Sequence, residues 1–252
     1  MVTERRSTIR VRERGDLFFL YRPNREIYEP GGLLDIRRFY MVLRPQGQER
    51  FRLIAIGKKK LPGIDDAAQR HWGFVDGVFH TPEELRQTAA GIPVLIGSKG
   101  ENLRPAGEGV YALVLHGNHT HLAYVLELPL IPGEVQEAFN IKSEGRFVIA
   151  VKNPEATSPP GVGLEVDRRP DFPGDLLAKF GDRRWVPVDP PEFLDYEGAE
   201  LVLIGGRDDL GEDLGLDLRA HPKDEETAEI FSDLHLEKSE RTIKPLFEGV
   251  WE

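Results

Sequence analysis

Two stretches, Arg70-His71-Trp72-Gly73-Phe74-Val75-Asp76 and Arg183-Arg184-Trp185-Val186-Pro187-Val188-Asp189, share the pattern R-x-W-x-x-V-D. A proline-headed block follows each, Pro82-Glu83-Glu84-Leu85 in one case and Pro191-Glu192-Phe193-Leu194 in the other. An apolar block comes next, Val94-Leu95-Ile96-Gly97 and then Val202-Leu203-Ile204-Gly205. Upstream, Arg50-Phe51-Arg52-Leu53-Ile54-Ala55 parallels Arg146-Phe147-Val148-Ile149-Ala150-Val151. Four matches in one order point to an internal duplication. The period is too long for a solenoid.

Working outward, the chain divides into a first unit over residues 1–103 with a basic N-terminal strand. A similar second unit covers 104–210, and an acidic C-terminal extension with one helix covers 211–252. Short aromatic-rich runs such as Leu17 to Tyr21 and Phe39 to Leu43 read as strands. Thr81-Pro82-Glu83-Glu84 is a helix start, with Thr at the N-cap, Pro at N1 and Glu at N3. Pro154 to Pro170 is an insertion rich in Pro and Gly, expected as a surface loop. The expected fold class is α+β: two tandem, duplicated antiparallel-sheet units with short helices. A groove between the copies is the expected ligand position. Equivalent tryptophans in both copies read as architectural.

Composition removes several chemistries. The chain has 252 residues and no Cys, so it holds no disulfide scaffold, thiolate metal site or Cys nucleophile. A hydrophobic fraction of 40% supports a packed core rather than wholesale disorder. Scarce Met and absent Cys resemble a thermophile's bias. No apolar h-region follows Met1 and no apolar run reaches the ~18 residues of a membrane span. A cytoplasmic protein without a membrane partner is expected. The net charge of −10 is uneven: residues 1–60 hold 15 Lys/Arg against 7 Asp/Glu, and residues 189–252 hold 6 against 19. Such a dipolar chain suits internal complementarity or contact between copies.

Three groups of residues are candidates for function. Val110 to Leu126 reads as a hairpin turning at Gly117-Asn118 by a type II′ turn, which pairs His116 with His119 and Val114 with His121. His116, His119 and His121 then share one face, where three imidazoles with an open position would suit zinc. No cofactor is otherwise expected. Arg10, Arg12 and Arg14 alternate along one strand, and Arg37 and Arg38 add charge. Guanidinium forks suit phosphates, although the overall acidity argues against nonspecific nucleic-acid binding. Leu246, Phe247, Val250 and Trp251 make an apolar terminus that must dock, on the protein itself or on a partner.

Gly97-Ser98-Lys99-Gly100 lacks the spacing of a phosphate loop. No recognisable catalytic motif is present. The expected function is therefore a non-enzymatic interaction or scaffold protein that binds a protein partner or itself. The alternatives are a metal-dependent hydrolase built on the three histidines, and a phosphate-ligand or nucleic-acid binder built on the arginines.

Overall fold

The computed structural model describes residues 9–64, 66, 68–89, 103–158, 163–206, 218, 220–236 and 238–251. Nine strands form among these residues, all paired antiparallel. They are β1 (Ile9–Pro23), β2 (Ile36–Pro45), β3 (Phe51–Ile56), β4 (Arg70–Phe79), β5 (Arg104–His116), β6 (His119–Leu128), β7 (Glu144–Lys152), β8 (Trp185–Pro187) and β9 (Glu200–Gly205). Eight of them close into one barrel in the order β1-β2-β3-β4-β9-β7-β6-β5, with β5 returning to β1. Strand β8 adds to β7 beyond the end of β6.

This corrects the expected α+β class. Two tandem sheet units would each leave edges unpaired. Here the halves cover each other's edges, β1 against β5 from Ile9↔His116 to Tyr21↔Arg104, and β4 against β9. The helices are short: α1 (Pro82–Ala89), α2 (Glu134–Phe139), α3 (Gly174–Ala178), α4 (Ile230–Asp233) and α5 (Glu240–Ile243). They lie at the rim and wall of the barrel and form no layer. Helix α1 starts as its sequence dictates: Glu84 N–H donates to Thr81 Oγ1 at 3.2 Å and His80 N–H to Glu84 Oε2 at 2.8 Å.

From the β1/β5 seam the strands run β1-β2-β3-β4 one way and β5-β6-β7-β9 the other. Strand β7 thus stands third from the seam on its side, as β3 does on the other. The tryptophan motif does not follow this symmetry, because β9, not β8, occupies the position equivalent to β4. The expected strand at Val94 to Ile96, the turn at Gly97 to Gly100 and the acidic link at Asp208 to Asp213 lie outside the described residues.

The described barrel interior is packed with apolar side chains. Leu17, Phe19, Tyr21, Met41, Ile54, Tyr111, Leu113, Tyr124, Phe147, Ile149 and Leu203 fill it from every side. Phe139 of α2 plugs one end, with rings 4.6 Å from Phe39 and 5.7 Å from Trp251. Phe172, Phe180 and Phe193 plug the other, with centroids 5.3 Å apart for Phe172–Phe193 and for Phe180–Phe193. Near that end the inward Arg52, 1% exposed, is ion-paired to Glu13 at 2.6 Å and Asp195 at 2.7 Å. Tyr111 donates its hydroxyl to Glu13 at 2.8 Å.

The outer wall over β1–β3 is apolar as well, and the C-terminal extension covers it. Phe18, Leu20, Tyr40, Val42 and Leu53 pack with Ile230, Leu234 and Leu246. Phe247 stacks on Phe231 at 6.4 Å, Trp251 meets Tyr21 at 5.9 Å, and Val250 is half-buried. The apolar terminus therefore docks on the protein's own barrel.

A charged lock fixes the extension. Lys223 Nζ reaches Glu108 Oε1 at 2.5 Å, Glu127 Oε2 at 3.0 Å and Glu229 Oε2 at 2.8 Å. Glu108, fully buried, also accepts the backbone N–H groups of Glu229 and Ile230. Burial works against the Lys223 charge, yet its hydrogen bonds to Glu108 and Glu229 outweigh it and raise its pKa above the lysine norm. Lys223→Met strands two buried carboxylates, so it should cost about 3 kcal/mol in urea unfolding. It should also open residues 221–251 to limited proteolysis, whereas adding Glu108→Gln and Glu127→Gln should recover part of the loss. Unchanged stability in Lys223→Met would refute the lock.

Candidate functional site: an aromatic groove on the barrel wall

Strands β4, β9 and β7 carry apolar residues on both faces. Leu201, Leu203, Phe147, Ile149 and Val151 point inward, so their alternating neighbours Val202, Ile204, Val148 and Ala150 point outward. Cross-strand register sets them in two rows. One runs Arg70, Ile204, Val148, His121; the other runs Trp72, Val202, Ala150, Pro187. Strand β8 adds Trp185 opposite Lys152. A barrel wall facing water normally alternates to polar side chains at such positions. Here the apolar rows floor a half-open groove of about 530 Å³.

Trp72 and Trp185 meet edge to face in this groove, with centroids 5.0 Å apart and planes at 77°. Both remain partly exposed. The duplicated motif is thus two strand ends brought into contact, although they are not structural equivalents. Each motif also contributes its first arginine to the rim. Arg183 donates Nε to the Phe180 carbonyl at 3.3 Å and Nη2 to the Lys179 carbonyl at 2.6 Å, which holds the side chain without neutralising it. Arg70 is exposed and forms no ion pair with any described residue. Asn118 and His119 complete the rim.

The hairpin forms in the expected register, with His116↔His119, Val114↔His121 and Tyr111↔Tyr124. Gly117 has φ 60°, as a type II′ turn requires. The His116 and His121 rings lie 6.0 Å apart, while His119 turns to the groove. Among the described residues no three His, Asp or Glu side chains are grouped to hold a metal ion. His121 Nδ1 is buried without a hydrogen-bond partner. Burial, with Arg146 and then His116 and His119 adding repulsion, pushes the His121 pKa down to about 4.

The arginine candidates are dispersed. A β-bulge at Arg12 breaks the alternation of β1, so Arg10 sits opposite Leu115 and Arg14 opposite Ala112, on different faces. Arg12 pairs with Asp189 at 2.8 Å. Arg38 lies opposite Arg22, about 27 Å along the strand from Arg14 at ~3.4 Å per residue. Arg37 is its exposed neighbour. No single phosphate-binding face results.

The chain matches no protein-family model, no curated protein and no solved structure. The fold and site define it as a filled antiparallel β-barrel with an aromatic groove on its outer wall. No helix among the described residues is long and apolar enough to cross a membrane.

His121 gives a measurable consequence. Its folded pKa lies below the unfolded value of ~6.5, so the unfolded chain binds more protons between about 6.5 and 4. Stability should fall as pH drops through that window. His121→Leu should reduce that fall, which urea midpoints at pH 7 and pH 5 would show. An imidazole titrating near 6.5 by NMR would contradict the assignment.

Proposed function

We propose that this protein is a non-catalytic interaction protein, a rigid barrel that offers its Trp72–Trp185 groove to an apolar, acid-flanked segment of a partner polypeptide. The observation that carries the proposal is the outward apolar face of β4, β9 and β7, rimmed by arginines with no carboxylate partner among the described residues. Two further features favour a surface partner. The described interior is packed with apolar side chains and plugged at both ends, which favours a surface partner over an enclosed small molecule. The groove lies on an open wall, where a protruding side chain can enter.

The alternatives have less support. The hydrolase reading needs three imidazoles grouped to hold a metal ion, and no such group lies among the described residues. The phosphate reading needs the N-terminal arginines together, and they are spread along β1 and β2.

The groove can be tested with 8-anilinonaphthalene-1-sulfonate, a flat apolar anion. It should bind close to one per chain with a gain in fluorescence. Trp72→Ala or Trp185→Ala should each weaken it about tenfold, the ~1.4 kcal/mol expected of an aromatic contact. Arg70→Gln with Arg183→Gln should weaken it about threefold while sparing neutral N-phenyl-1-naphthylamine. Binding indifferent to both tryptophans would overturn the docking role.

A further inference from the structure

We propose that the occupant of the groove is a second copy of this chain, which inserts the Leu130–Ile131 tip that follows its β6. The inference rests on the docking reading of the groove and names the partner.

The tip is built to protrude. Leu130 is 61% exposed and Ile131 84% exposed, on a chain whose other apolar side chains are mostly buried. Pro129 and Pro132 flank the pair and fix their own φ angles. Just beyond, Gly133 N–H donates to Gln136 Oε1 at 2.9 Å and Val135 N–H to the Gly249 carbonyl at 2.9 Å. A tip held at both ends loses little conformational entropy when it docks. Two branched aliphatic side chains also match a groove floored by Val148, Ala150, Val202 and Ile204.

Charge selects the same pair of surfaces. Glu134 and Glu137, both exposed, follow the tip on α2, and Arg70 and Arg183 rim the groove. Leu34 is more exposed, at 92%, but it stands singly, since its neighbour Leu33 is half-buried and offers no second exposed aliphatic side chain.

The two surfaces cannot meet within one chain. His119, at the groove, begins β6, and the tip lies past its far end, about 30 Å away at ~3.4 Å per residue. The contact is therefore made between copies, reciprocally in a two-fold dimer or head to tail in a ring or short chain.

Sedimentation velocity of the full chain, from micromolar to several hundred micromolar, tests this. Wild type should assemble with rising concentration. Ile131→Asp, which lacks the tip, and Trp185→Ala, which lacks the groove wall, should each remain monomeric. Mixed one to one, they should form a discrete dimer, because one intact groove meets one intact tip. Arg70→Glu should weaken assembly at least tenfold, and adding Glu134→Lys should restore it; this pair carries the test if Trp185→Ala fails to fold by near-UV circular dichroism. A wild type that stays monomeric throughout, or a mixture that forms no dimer, would overturn the inference. Retained naphthalene-sulfonate binding in such a monomer would leave the docking groove standing and remove only its assignment to a second copy.

Discussion

The pairing of β1 with β5 is the constraint on which the rest of the molecule depends. It joins the two halves along the whole of β1, from Ile9↔His116 to Tyr21↔Arg104. Bulges at Arg12 on β1 and at Ala106 on β5 bend the two strands so that the sheet can curl. Once that seam and the β4/β9 seam are closed, no barrel strand among β1–β7 and β9 keeps a free edge along its paired length. The inward faces must then fill a single enclosed core, and helices are left with rims to cap. The short α2 and the 3₁₀ turn Pro191–Asp195 do this, bringing Phe139 to one end and Phe193 to the other.

Buried charges tie the non-local pieces to this frame. Arg52 reaches from β3 to Glu13 on β1 and to Asp195 on the rim turn. Lys152 on β7 pairs with Glu200 on β9 and donates to Ser158, which draws the start of the 154–170 loop onto the wall. Lys223 brings the acidic extension to Glu108 and Glu127. Each pair carries a desolvation cost that a hydrophobic contact would not. What each adds is position: a lone lysine among acidic neighbours can seat in one place on the barrel. The −10 net charge is thus compatible with an extension that wraps its own protein.

Local features were legible in the sequence. The hairpin register from Tyr111↔Tyr124 to His116↔His119 follows from one Gly-Asn turn and strict alternation, both of which act within a few residues. The α1 cap is equally local, set by Thr81, Pro82 and Glu84. Closure was not legible, since it pairs β1 with β5 and β4 with β9 across long stretches of chain, and strand pairing of that kind leaves no local signature. The arginine stripe failed for a related reason: one bulge at Arg12 reverses which face the following residues take. The tryptophan motif reads as architecture in two separate copies, and the structure instead brings Trp72 and Trp185 into contact. The overlooked signal was the unbroken apolar runs Phe147 to Val151 and Leu201 to Ile204, which leave the outer wall as well as the core apolar.

Closure also restricts how such a protein can associate. An open sheet can recruit a partner by adding a strand to its edge through backbone hydrogen bonds. A closed barrel has spent those hydrogen bonds on itself, and the three-residue β8 offers little edge. Recognition then falls to side chains on the wall, where shape and charge must supply the specificity that an edge would have supplied through register. Trp72 and Trp185 provide large, rigid apolar surfaces at low entropic cost. In the proposed docking, Arg70 and Arg183 would add direction, because a carboxylate-flanked segment would satisfy them and a basic one would be repelled. The wall bearing both places large apolar side chains where a strand facing water normally carries polar ones.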